Sequence, residues 1–156
     1  MNSAYTKNYF CERDLLIPHL ANTIKKLMVE NQLKKVLDVG CGTGRLVKFL
    51  NQSGFKAYGC DNSPAAVKFA KKNNGAKKIK LGPCTNLKYS DNSFDLVTAI
   101  SVIEHVNQNN ANKFLKEAKR VLKPQGSLFI VTPNFATPLR IIQGKKWFGF
   151  HDPTHI

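Results

Sequence analysis

Acidic side chains are scarce in this chain: 10 Asp and Glu stand against 24 Lys and Arg, a formal net charge of +14 over 156 residues. Such an excess makes nucleic acid, an anionic membrane surface or an acidic protein a candidate partner. Arginine, however, is itself scarce beside lysine. The lysines scatter over every segment and gather only in short clusters such as Lys71, Lys72, Lys77, Lys78 and Lys80. No arginine-rich or aromatic-interleaved stripe appears, so a solvated lysine-rich surface is favoured over a nucleic-acid-binding face. Long apolar runs are also missing. No stretch approaches the roughly 18–20 residues needed to cross a bilayer, and the opening "MNSAYTKNYFCERD" lacks the basic-then-apolar order of a signal peptide. A soluble, cytoplasmic protein is expected. The four cysteines, Cys11, Cys41, Cys60 and Cys84, form no C-x-x-C pair. That excludes a zinc knuckle or a dithiol redox motif, and they read as reduced, small apolar residues.

Hydrophobic residues make up 42% of the chain, enough for a core of one domain, and no repeat, low-complexity segment or linker divides it. A single domain over 1–156 is expected, with a helical lead-in (1–33), an α/β core (34–134) and a tail (135–156). In the lead-in, "CERDLLIPHLANTIKKLMVEN" spaces apolar residues at helical intervals, with a start or kink at Pro18. "KVLDVG", "FKAYGCD", "AKKIKLG", "FDLVTAIS" and "SLFIVTPN" read as five strands. The fourth is apolar throughout, as a strand buried on both faces requires. Helical segments separate them. "SPAAVKFAKKNN" carries Ser63 as N-cap and Pro64 at its first helical position, and "NANKFLKEAKRVLKPQG" is an amphipathic helix closed by Pro124 and Gly126. Alternation of this kind predicts a doubly wound, mostly parallel sheet covered by helices on both faces.

Between the first strand and the next helix, Gly40, Gly42 and Gly44 recur at every second position. In a doubly wound sheet this turn is the usual ligand cradle, and glycine lets the backbone turn sharply and approach a ligand without β-carbons intervening. The spacing fits neither G-x-G-x-x-G, since Arg45 stands one place past the third glycine, nor a phosphate loop, since no lysine with Ser or Thr follows. An acid, Asp38, instead precedes the turn, where it favours a cationic ligand. A second, Asp61, closes the second strand, where a carboxylate can accept hydrogen bonds from ribose hydroxyls. A positively charged nucleoside without phosphate describes S-adenosylmethionine.

"VLDVGCGTGRL", Asp61, "DNSFDLVTAISVIEHV" and "LKEAKRVLKPQGSLFIVTPN", in that order and spacing, resemble the class I S-adenosylmethionine-dependent methyltransferases. The resemblance covers about Lys34 to Asn134 and implies a Rossmann-like sheet of strand order 3-2-1-4-5. It also implies that the family's last two strands are missing, leaving a fifth-strand edge to be covered by a second copy or a C-terminal segment. Carried onto this chain, the family pattern places the backbone of Gly40, Cys41, Gly42 and Gly44 beside the methionine moiety and Asp38 at its ammonium. Asp61 falls on the ribose, Asn62 and Ser63 beside the adenine, and Ile100 and Ser101 facing the methionine. The sequence departs from the pattern at "LGPCTNL", where Pro83 replaces an acid and Cys84 could offer a backbone N–H to adenine.

The implied activity is methyl transfer to a hydroxyl or amine of a small molecule, with S-adenosylhomocysteine as product. A catalytically weak binding or scaffold module, or an RNA-associated subunit, is the alternative that the charge suggests. For a base the candidates are His105 and Glu104, for both of which a role in orienting the loop is favoured, together with His151 and His155 if the tail folds back over the site. On the substrate side stand Glu104, Trp147, His151 and His155. No metal site is expected, because Pro153 separates His151 from His155 and no further ligands gather there. In the tail, 135–143 is expected as a short helix and 147–155 as a cover for the acceptor side of the pocket or for a partner surface.

Overall fold

The structure, a computed structural model, describes residues 17–133. The tail expectations, with Trp147, His151 and His155, and residues 1–16 of the lead-in lie outside it.

Five parallel strands, β1 (Lys35–Val39), β2 (Lys56–Asp61), β3 (Ile79–Leu81), β4 (Phe94–Ile100) and β5 (Leu122–Val131), pair in the order β3-β2-β1-β4-β5. This is the expected strand order. The helices are α1 (Ile17–Glu30), α2 (Arg45–Gln52), α3 (Pro64–Asn74) and α4 (Gln108–Val121), with a 3-10 turn at Ile103–His105. None of the helices among the described residues is long and apolar enough to cross a membrane.

Period-two alternation sorts the strand side chains between two cores. Val36 and Leu96 pack with Ile24 and Met28 of α1, Val47 and Leu50 of α2 and Ala70 of α3. Leu37, Val39 and Val97 face the other way, onto Phe114, Ala118 and Val121 of α4. Leu96 and Val97 are both fully buried, so β4 is covered on both faces as its apolar run requires. Pro18 sits in the first turn of α1, where a missing N–H costs nothing. Ser63 caps α3 by accepting from the Ala66 amide (3.3 Å), with Pro64 following it.

One boundary differs from the sequence expectation. Helix α4 begins at Gln108, capped by the Asn107 side chain on the Asn110 amide, and stops at Val121 rather than at Gly126. Leu122 is already extended (φ −72°, ψ 143°), and Lys123, Pro124 and Gly126 belong to the start of β5. Proline excludes the helical region for the residue before it, so Pro124 ends the helix earlier than a break at its own position would. Register between β4 and β5 slips between Phe94 and Leu96 to accommodate the segment.

Candidate functional site

The carboxyl ends of β1, β2 and β4 converge on the glycine turn. Gly40, Gly42 and Gly44 all have positive φ (71°, 52° and 76°), a backbone only glycine adopts without cost. The turn is bonded to β2: the amides of Gly40 and Cys41 both donate to the Cys60 carbonyl (2.8 and 3.0 Å). The three glycines do different work. A β-carbon on Gly40 would fall 2.5 Å from Val102 Cγ2, and one on Gly44 would fall 2.6 Å from Asn74 Nδ2 and 3.0 Å from Ala70 Cβ. A β-carbon on Gly42 would meet nothing within 4 Å among the described residues. Gly40 and Gly44 are therefore required by packing, while Gly42 borders open space at the turn.

Asp61 organises this space. Its Oδ2 accepts from the Gly42 amide and its Oδ1 from the Ser63 amide, each at 2.8 Å. A carboxylate has about four acceptor positions, so two remain for a ligand. Asp38 is 5% exposed, and its Oδ1 accepts from the hydroxyl of Thr98 (2.8 Å), its neighbour across the β1–β4 register. Burial raises the Asp38 pKa to about 7; the Thr98 hydrogen bond opposes the rise and the charge of Asp61 adds to it. A buried carboxylate whose charge a nearby acid disfavours, beside a glycine turn, suits a ligand that brings a cation.

Cys41 and Cys60 are buried free thiols whose pKa values are pushed far above the usual range, first by burial and then by Asp38 and Asp61. They behave as apolar filling, as read from the sequence. Half-buried Cys84 packs on the same core as Cys60, just after β3. Asn62 is exposed beside Asp61.

After β4 the chain bends back over the turn. Ser101 has φ 52°, unusual for a residue with a β-carbon, and its amide donates to the Val131 carbonyl (2.8 Å). That bend sets Val102 over Gly40. Next comes the 3-10 turn with half-buried His105 and with Glu104, 7% exposed. Glu104 Oε2 accepts from the Thr132 hydroxyl (3.1 Å), and its buried Oε1 has no hydrogen-bond partner among the described residues. The residues expected at the site from Asp38 to His105 thus come from segments that follow β1 to β4 at one end of the sheet.

Three residues of this end were missed from sequence. Thr98 and Thr132 each hold a buried acid, and the only visible sign of Thr98 was a hydroxyl within an apolar strand. Gly59, inside β2, is the third: a β-carbon there would lie 2.8 Å from Cys41 Sγ and 3.0 Å from Val47 Cγ2. A glycine within a strand was the available sign of that close approach.

A parallel sheet of this order, with a glycine turn after its first strand and an acid closing its second, defines a Rossmann-like nucleoside-binding protein. Comparison with known proteins narrows the class. The sequence pattern of the methyltransferase domain family matches residues 37–130, and the chain belongs to that family, whose class I members use S-adenosylmethionine. The chain is 33% identical to the mitochondrial ubiquinone biosynthesis O-methyltransferase of Rattus norvegicus, over 78% of this chain and 39% of the relative. To the ubiquinone biosynthesis O-methyltransferase of Coxiella burnetii it is 30% identical, over 86% of this chain and 63% of the relative. It spans less than two thirds of the length of either. Among solved structures, the PH0226 protein of Pyrococcus horikoshii OT3 superposes with a TM-score of 0.66 at 26% identity, over 95% of this chain and 65% of that one.

Proposed function

We propose that the protein transfers the methyl group of S-adenosylmethionine to a hydroxyl of a small molecule, an amine being the alternative acceptor. The observation that carries this reading is the pair Asp38 and Asp61 on either side of a glycine turn with open space at Gly42. The names of the two curated relatives, both O-methyltransferases, support the hydroxyl. When bound, the cofactor supplies an activated methyl on a positively charged sulfur. Asp61 holds the ribose through the acceptor positions that the Gly42 and Ser63 amides leave, and Asp38 attracts the ammonium. Asn62, Ser63 and Cys84 border the adenine, while Ile100 and Ser101 line the methionine side with Gly40, Cys41 and Gly44. Displacement at a sulfonium needs alignment and exclusion of water more than acid catalysis. The loop that the Ser101 bend folds over Gly40 serves that purpose. Glu104, whose Oε1 has no hydrogen-bond partner among the described residues, and His105 stand in this loop as the groups able to orient an acceptor hydroxyl or take its proton.

The reading has a signature in pH. Free Asp38 stays largely protonated below about pH 7 because ionising it in the interior is costly. A bound cation favours the ionised form, so binding expels a proton below that pH. Affinity for S-adenosylhomocysteine should rise with pH, by up to about tenfold per unit, and level off above about 7. The stability of the free protein runs the opposite way. The folded pKa lies above the unfolded value of 3.8, so the folded state holds the extra proton and the Asp38 contribution falls as pH rises between the two. Calorimetric titration near pH 6 in two buffers of different ionisation enthalpy measures the released proton. No release, with affinity flat across pH, would remove Asp38 from the ligand.

The activity itself is tested by a panel of phenols, catechols and amines, reading S-adenosylhomocysteine formed from S-adenosylmethionine. Formation stimulated by at least one hydroxyl compound is expected. A protein that binds the cofactor but responds to no acceptor would be a binding module instead.

A further inference from the structure

We infer a second ligand site, away from the glycine turn, that takes a multiply charged phosphate group. A cavity of about 430 Å³ lies toward the amino ends of the strands; its lining includes Lys35, Lys77, Lys80 and Lys88, with Tyr58 and Tyr89 between them. Lys35 and Phe94 open β1 and β4, and Lys77 precedes β3, whereas Asp38 and the glycine turn belong to the other end. The volume falls within the range of small-molecule pockets.

Among the described residues the lining contains no acid. The acids next to it in sequence are engaged elsewhere: Asp91 with Arg120 (2.6 Å), and Asp95 with Lys123 (2.5 Å) and the amides of Lys34 and Lys35 (2.9 and 2.8 Å). Among the described residues none of the four lining lysines has a carboxylate partner. Two of these ammonium groups, those of Lys35 and Lys80, stand over aromatic rings, as does that of Lys78 beside the cavity. Lys35 Nζ stands 4.9 Å from the Phe94 ring centre and 5.4 Å from that of Tyr58; Lys78 Nζ is 4.6 Å from Tyr58 and Lys80 Nζ 4.2 Å from Tyr89. The three rings brace one another edge-on. Arg120 pins the wall by donating to the carbonyls of Leu87 (2.8 Å) and Tyr89 (2.9 Å).

Cation–π contacts of this kind orient lysines that would otherwise fan into water. The charges they gather repel one another until an anion enters. Because ammonium groups already occupy ring faces, the recognised feature is an anionic group rather than a stacking base. The hydroxyls of Ser90 and Ser93, also in the lining, add donors for phosphate oxygens. A free polyphosphate and a nucleic-acid backbone share this chemistry.

The test titrates the full chain at low salt with inorganic tripolyphosphate and, separately, with single-stranded RNA. It compares Lys77→Gln/Lys80→Gln with Lys71→Gln/Lys72→Gln, two exposed lysines of α3 that carry the same charge but do not line the cavity. Saturable binding is expected for at least one probe, weakened about tenfold or more by the first pair and less than about twofold by the second. Tripolyphosphate binding identifies a free phosphate compound as the ligand, and RNA binding alone identifies a backbone. Retained affinity for S-adenosylhomocysteine shows that each variant is folded. Absence of saturable binding to either probe, or equal losses in both variants, overturns the proposal.

Discussion

Asp61→Ala is expected to weaken S-adenosylhomocysteine binding at least about 100-fold, an effect of about 2.7 kcal/mol. The substitution acts twice. It deletes the acceptor proposed for the ribose hydroxyls, and hydrogen bonds to a charged group are worth about 1.5–3 kcal/mol each. It also strips the Gly42 and Ser63 amides of the carboxylate that orients them at 2.8 Å, so the turn and the start of α3 lose their common anchor. Asp61→Asn separates the two effects, since one amide oxygen can still accept while the NH2 faces a backbone donor. Its affinity should fall between those of the alanine variant and the natural protein. Calorimetry on both variants, with thermal unfolding alongside, reads the difference. Unchanged affinity in Asp61→Ala would place the ribose elsewhere.

The largest effect on folding is expected at Gly44. An alanine there must adopt φ 76° and place its methyl 2.6 Å from Asn74 Nδ2, 3.0 Å from Ala70 Cβ and 3.3 Å from Ala70 Cα. The last two atoms belong to a buried helix residue that cannot swing away. Left-handed backbone costs a residue with a β-carbon about 1–2 kcal/mol, and overpacking adds about 1–3 kcal/mol. Urea denaturation should therefore show Gly44→Ala losing about 2–5 kcal/mol. It also threatens the hydrogen bond by which Asn74 Nδ2 ties α3 to the Gly44 carbonyl (3.1 Å). Gly42→Ala is the contrast. Its β-carbon enters open space, so stability should fall by only about 1–2 kcal/mol while cofactor affinity falls sharply. Equal stability losses in the two variants would mean that the glycines are not divided between packing and ligand.

The glycine turn and its acids were legible because their causes are local. Positive φ selects glycine within a few residues, and an acid at a strand end stands out against an apolar run. The strand order also followed, through the ordered motifs of a family resemblance. What was not legible depends on distant partners. Thr98 meets Asp38 only when β4 pairs β1, and Thr132 meets Glu104 only after β5 closes the end of the sheet. Pro124 and Gly126 were read as the stop of a helix because punctuation alone does not say which neighbour it serves. Here it serves the start of a strand. The cluster at Lys77, Lys78 and Lys80 was visible in sequence, but its convergence with Lys35 and Lys88 around Tyr58 and Tyr89 requires the folded sheet.

The central claim is that one end of the sheet, between Asp38 and Asp61, holds S-adenosylmethionine. Amide chemical shifts of the isotope-labelled protein, followed during titration with S-adenosylhomocysteine, test it most directly. The largest shifts are predicted at Gly40 to Gly44, Asp61 to Ser63, Cys84 and Ile100 to Ser101, with Lys77 and Lys88 at the far end unmoved. Saturable binding that instead moves Lys77 and Lys88, and leaves the glycine turn in place, would contradict the account.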